Sequence, residues 1–228
     1  MPAAVKSQRT ASDIMATALE KLGKMPSPSD QGDEGAAPEE AFDVLAAMER
    51  AGFPSKFRRH DWDTPEFVKR YAPPDSRTAF RDFRGLFLTG LTGRKKTASL
   101  SLLARDWLMR VGRKGQKAWG FISFPELCVQ LQEAWGDGGA GPMKIINRLA
   151  DVPILIVDDV GVEKTTDFVL QSAYLVFNKR EQNEVLTYGT SNLTIEEIEA
   201  KLDDRIASRI RGMCHIIPVS GEDQRGKR

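Results

Sequence analysis

Between residues 85 and 97 the chain reads Gly-Leu-Phe-Leu-Thr-Gly-Leu-Thr-Gly-Arg-Lys-Lys-Thr. Leu86, Phe87 and Leu88 have the composition of a buried strand. Gly90 and Gly93 then turn the chain, and a helical pattern begins at Thr97. A strand that passes through glycines into a helix N-terminus commits the segment to an α/β unit. It also presents backbone N–H groups that suit an anion. The spacing approaches G-x-x-x-x-G-K-[ST], in which the lysine reaches phosphate oxygens and the hydroxyl holds Mg²⁺. Lys95, however, occupies the place of the second glycine. A β-carbon and a charge there strain a turn that glycine adopts freely. Two outcomes stay open: Lys95 compensates by reaching phosphate, or the loop holds nucleotide poorly.

From residue 84 onward, strand and helix patterns alternate. Strands are predicted at Leu86–Leu88, Ala118–Ser123, Ile154–Val157, Val185–Thr190 and Ile216–Val219. Helices are predicted at Thr97–Val111, Pro125–Trp135, Met143–Leu149, Phe168–Arg180, Ile195–Leu202 and Arg205–Arg211. In the fourth helix Leu170, Tyr174 and Phe177 read as core positions, and Gly136–Gly141 reads as a loop. The unbroken apolar run Ile154-Leu-Ile-Val157 suits a parallel strand covered on both faces. Alternation at this spacing implies an α/β fold with a parallel five-stranded sheet between helices.

Residues 39–83 read as a helical connector. Its helix spans Glu39–Ala51, offers Phe42, Leu45, Ala46 and Met48 for burial, and is closed by Gly52 and Pro54. Lys56–Asp63 interleaves basic and aromatic residues, favouring a connector pinned by Phe57 and Trp62 over a nucleic-acid contact. His60 has no identifiable catalytic partner in the sequence. Residues 1–38 carry one short amphipathic helix, capped by Ser12 or Asp13, with Ile14, Met15, Ala18, Leu19 and Leu22 on its stripe. Met25–Pro38 has little to bury and reads as a linker. The first helix is either a frayed extension or a docking element.

Charge is nearly balanced, 33 basic against 32 acidic residues, so bulk electrostatics does not mark a nucleic-acid binder. Cys128 and Cys214 lack metal-ligand spacing and are expected to be reduced and buried. No apolar run reaches membrane-spanning length and no signal-peptide pattern opens the chain, which favours a cytoplasmic protein without membrane contact.

Three further segments carry chemistry. Val157-Asp158-Asp159 ends a buried strand with two acids, suited to holding a metal ion and activating a water. Thr190-Ser191-Asn192 ends the next strand with three short polar side chains, of which Asn192 can hold water or phosphate. Arg205 and Arg209 lie four apart on one helix face and are either solvated or projected into a neighbouring subunit's phosphate site.

Taken in order, the loop, Ile154-Leu-Ile-Val-Asp-Asp-Val-Gly161, Thr190-Ser-Asn-Leu193, Arg205-Ile-Ala-Ser-Arg209 and Met213-Cys-His-Ile-Ile217 resemble one family. It is the AAA+ ATPases of the DnaC/DnaI helicase-loader and IstB transposition-helper group. Ala51-Gly-Phe-Pro-Ser-Lys-Phe-Arg58 resembles the connector that precedes its core. The resemblance covers residues 45–225, with a core over 84–228, and implies ATP and Mg²⁺ as cofactors. It implies that Gly90, Leu91, Thr92, Gly93, Arg94, Lys95, Lys96, Thr97 and Ala98 contact nucleotide, with Lys96 on phosphate and Thr97 on Mg²⁺. Asp158 becomes the metal-side acid, Asp159 the base and Asn192 the sensor of the γ-phosphate. Arg209 becomes an arginine finger for a second copy, flanked by Arg205, and Arg225 a second sensor.

The implied function is loading of a replicative hexameric helicase, gripped by the N-terminal segment, onto single-stranded DNA. Trp135 is a candidate for stacking a base, while Phe124 reads as core. The helix between them carries no Lys or Arg, which counts against DNA contact. A transposition helper is the alternative, disfavoured because residues 1–45 are short and acidic for a DNA-binding domain. A degenerate AAA+ adaptor is the other, because of Lys95.

Overall fold

Leu86 and Leu88 belong to one apolar cluster and Phe87 to another, and all three are buried, so their strand is covered on both faces. The computed structural model describes residues 42–59, 63–76, 79–115, 117–135, 140–161 and 166–223. In chain order its elements are α1 (Val44–Arg50), α2 (Ser55–Arg58), α3 (Glu66–Lys69), β1 (Gly85–Thr89), α4 (Lys96–Val111), β2 (Trp119–Ser123), α5 (Phe124–Trp135), α6 (Ala140–Asp151), β3 (Ile154–Asp158), α7 (Asp167–Gln182), β4 (Leu186–Ser191), α8 (Ile195–Lys201), α9 (Asp204–Met213) and β5 (Cys214–Pro218). The five strands form one sheet in the order β2-β3-β4-β1-β5. Every neighbouring pair is parallel, so each connection crosses over the sheet through helices.

The α/β architecture and the five parallel strands follow the sequence reading. On one face, α5 to α9 close over Phe87, Leu155 and Val157. On the other, α1, α3 and α4 cover Leu86, Leu88, Ile154, Ile156 and Tyr188. Burial of each such side chain contributes about 1.5–3 kcal/mol. The connector is built into this second layer. Tyr188 on β4 donates its hydroxyl to the Tyr71 carbonyl (2.7 Å), and Trp107 on α4 donates Nε1–H to Pro73 (3.0 Å). Phe121 N–H donates to the Ala51 carbonyl at 2.7 Å, which covers part of the open edge of β2. Within Lys56–Asp63, Phe57 is half-buried under the Lys56 ammonium (4.6 Å), and Arg58 pairs with Glu49 (3.0 Å). His60, Trp62 and the N-terminal helix and linker expected over residues 12–38 lie outside the described residues.

Several expectations need correction. α1 starts at Val44 because the Asp43 carboxylate caps it, accepting from Ala46 N–H at 2.9 Å. α6 starts at Ala140, well before the expected Met143, and ends at Asp151. Pro142 suits a first turn, and Gly141 lies in the helix, where it marks a close approach. A β-carbon there would fall 2.6 Å from the Ala134 carbonyl oxygen of α5. In α7 the core face is Val169, Ala173, Val176 and Phe177, while Leu170 and Tyr174 are only half-buried. Tyr174 lies at the rim of that face, where its ring receives Arg205. Cys128 and Cys214 are free and buried as expected. Burial pushes the Cys214 thiol up to about 12, so it stays protonated. No helix among the described residues is long and apolar enough to cross a membrane.

Arg180 is fully buried, which no local pattern of residues indicates. Its Nε donates to Thr187 Oγ1 (3.0 Å), Nη1 to the Leu149 (2.6 Å) and Val152 (2.8 Å) carbonyls, and Nη2 to the Leu186 carbonyl (2.5 Å). The guanidinium thus fastens the end of α6 to the start of β4, and the helix C-terminus favours its charge. Arg180→Leu keeps apolar volume but orphans these acceptors, each at about 1–3 kcal/mol. Urea unfolding is expected to show a loss of about 3 kcal/mol or more.

Candidate nucleotide-binding site

Because β4 lies between β1 and β3, the carboxyl ends of three strands converge. Lys96 and Thr97 follow β1, Asp158 and Asp159 end β3, and Asn192 follows β4. Lys96 is only 6 % exposed, and its ammonium donates to the Gly90 carbonyl (2.6 Å), the Leu91 carbonyl (3.0 Å) and Asn192 Oδ1 (2.9 Å). Asn192 in turn donates Nδ2–H to Asp159 Oδ1 at 3.4 Å. Thr97 Oγ1 donates to Asp158 Oδ1 at 2.7 Å. Five of the residues expected at the site therefore form two linked groups. One runs Lys96–Asn192–Asp159, and the other joins Thr97 to Asp158.

Asp158 is buried, and burial pushes its carboxyl above the ordinary range. Hydrogen bonds from Thr97 and Thr190 counter that rise, adjacent Asp159 adds to it, and the Lys56 ammonium of the connector opposes it. Among the described residues no cluster of three or more His, Cys, Asp or Glu side chains could hold a metal. The Thr97 hydroxyl and Asp158 carboxylate are nevertheless hard oxygen donors. They fit Mg²⁺, which takes one or two protein oxygens and fills its remaining positions with phosphate and water.

Lys95 takes φ +56° and ψ +21°, the left-handed conformation that the missing glycine would have adopted without strain. For a residue with a β-carbon this costs about 1–2 kcal/mol. Its carbonyl is the first acceptor of α4, taking Ser99 N–H (2.8 Å) and Oγ–H (2.9 Å). Leu91 and Thr92 are exposed, and the Ala98 side chain is buried in the first turn of α4. Arg94 donates Nη1–H to the Val219 carbonyl at 2.8 Å, so its guanidinium is engaged with the segment after β5. That segment stays on the loop. Val219 N–H donates to Thr89 (2.7 Å), and a β-carbon at Gly93 would fall 1.8 Å from Asp223 Oδ1. Gly93, at φ +78°, leaves room for this carboxylate. No sequence pattern pointed to Asp223.

Arg209 and Arg205 do not join the group. Arg209 pairs with Glu181 of α7 (2.8 Å), Arg205 pairs with Asp203 (2.8 Å), and both face the Tyr174 ring. Arg225 lies outside the described residues. Phe124 is fully buried, whereas Trp135 is 61 % exposed with its ring 4.0 Å from that of Phe168. Besides Asp223, the residue absent from the expected site is Thr190, which bonds both acids. It was legible only as one of three short polar side chains at a strand end.

The sheet order, the loop after β1 and the acid-tipped β3 define an AAA+ P-loop nucleotide-binding fold. The chain belongs to the IstB-like ATP-binding proteins, whose sequence model matches residues 76–228. Among solved structures it is similar to DnaI, with 21% identity, coverage of 76% of this chain and 95% of that one, and a TM-score of 0.58. It is also similar to the DnaC helicase loader, with 21% identity, 63% and 85% coverage and a TM-score of 0.52. For AMPPCP-bound DnaA from Aquifex aeolicus the figures are 15% identity, 76% and 53% coverage and a TM-score of 0.57. At these identities the likeness concerns the fold. No curated protein sequence matches the chain.

Because Lys95 carries left-handed strain, Lys95→Gly is expected to stabilise the protein by about 1 kcal/mol in chemical denaturation without nucleotide. A loss of stability would instead mean that the Lys95 side chain repays its backbone strain.

Proposed function

We propose that this protein is an ATP-hydrolysing helicase loader that delivers a replicative hexameric helicase onto single-stranded DNA in the cytoplasm. The observation that carries the ATPase part is the meeting of Lys96, Thr97, Asp158, Asp159 and Asn192 across three strand ends. Resemblance to the loader group supports the rest. In this reading the chain works as an N-terminal segment (1–38) that grips the helicase, a connector (39–83) and the ATPase core (84–228).

Backbone N–H groups of Gly90–Ala98 and the Lys96 ammonium receive the phosphates. Thr97 and Asp158 hold Mg²⁺, which when bound neutralises charge on the transferring phosphoryl group. Asp159 takes the proton of the attacking water, and Asn192, already hydrogen-bonded to both Lys96 and Asp159, orients that water against the γ-phosphate. Arg209 leaves Glu181 to serve the site of a neighbouring copy, and Arg225 contacts phosphate within its own chain. Exposed Trp135 offers a stacking surface for single-stranded DNA.

Two other readings each have one observation in their favour. Membership of the IstB-like family favours a transposition helper. The left-handed Lys95 favours an adaptor that binds ATP weakly and does not turn it over. Co-purification with the host's replicative helicase supports the loader. Capture of a transposase instead of the helicase overturns it.

Steady-state turnover is expected for the wild type and is abolished by Lys96→Ala. Asp159→Asn is expected to lower kcat by about 10²–10⁴ while ATP affinity, measured by calorimetry, is retained. A wild type that binds ATP without hydrolysing it would establish the adaptor.

A further inference from the structure

We propose that Thr190 is the positioning residue that aims both acids, its single hydroxyl clamping the Asp158 carboxylate to the Asp159 backbone. The inference rests on the ATPase reading given above. Thr190 is 0 % exposed. Its Oγ1 donates to Asp158 Oδ1 at 2.7 Å and accepts from Asp159 N–H at 3.0 Å. A hydroxyl has one proton, and the Asp159 N–H can only donate, so the proton of Thr190 is committed to Asp158. Asp158 Oδ1 therefore receives two hydroxyl donors, from Thr97 and from Thr190.

The second half of the clamp concerns backbone shape. Asp159 sits at φ +54°, a conformation uncommon for residues other than glycine. The bond from its N–H to Thr190 holds it there, and two further bonds brace the same turn. Val160 N–H donates to the Thr190 carbonyl (2.9 Å), and Ser191 Oγ donates to the Val160 carbonyl (2.6 Å). In this conformation the Asp159 carboxylate reaches Asn192, which bonds Lys96. The pairing of Val157 with Gly189 sets Thr190 beside the strand end from which both acids project. Thr190 thus acts on hydrolysis through Asp158 and Asp159.

The test compares Thr190→Val, which keeps the shape and removes the hydroxyl, with Thr190→Ser, which restores it. Kinetics of ATP hydrolysis, ATP affinity by calorimetry and thermal unfolding are measured on the full chain. Thr190→Val is expected to lose about 10- to 100-fold in kcat, the size usual for residues that orient metal-site ligands, with ATP affinity kept. Thr190→Ser is expected to recover most of that loss. If Thr190→Val does not fold, Thr190→Ala replaces it, and Thr190→Ser must then exceed it at least tenfold. A hydroxyl-free variant as fast as wild type, or a Thr190→Ser as slow as the hydroxyl-free variant, overturns the proposal. A wild type without turnover overturns the ATPase reading and this proposal together. Turnover that Lys96→Ala abolishes but Thr190→Val leaves intact overturns this proposal alone.

Discussion

The placement of β4 between β1 and β3 is the constraint on which the site depends. Parallel strands require crossovers, and the crossovers leave all five carboxyl ends on one edge of the sheet. With β4 in the middle, Asn192 meets Lys96 on one side and Asp159 on the other. Thr190, two residues earlier, meets Asp158 and the backbone of Asp159. The same strand thus supplies the bridge to the loop and the brace for the acids. Its foot is fixed by Arg180, which ties Thr187 and the Leu186 carbonyl to the end of α6.

The loop itself is held in shape from three directions. Lys96 draws the Gly90 and Leu91 carbonyls around its ammonium. Arg94 and Thr89 fasten it to Val219, and Asp223 lies against Gly93. These contacts surround a residue, Lys95, whose backbone carries a cost of about 1–2 kcal/mol. Strain of that size persists only where the surroundings over-determine it, and here they do.

How much could be read in advance varied with the range of the interaction responsible. β1 and β3 were legible because each is short and carries an unbroken apolar run, Leu86–Leu88 and Ile154–Val157, buried on both faces. The phosphate loop, the paired acids and Asn192 were legible because each sits at a strand end whose position the alternation fixed. The face of α7 was not, because Leu170 and Val169 are equally apolar and only contact with the sheet chooses between them. Gly141 read as a loop residue because glycine favours turns, yet its place is set by the approach of α5. The burial of Arg180 was not legible, because nothing local announces which carbonyls it will cap.

Local residue patterns were enough to specify an α/β chain with a phosphate-type loop, an acid-tipped strand and a polar-tipped strand. Those features follow from local periodicity and local chemistry. Folding in three dimensions was needed to join Thr190 to the two acids, to lay Asp223 on the loop and to turn Arg209 toward Glu181. Each depends on strand order or on chain segments far apart in sequence. A hydroxyl, a carboxylate or a guanidinium carries no local mark of the partner that folding will bring within hydrogen-bond distance.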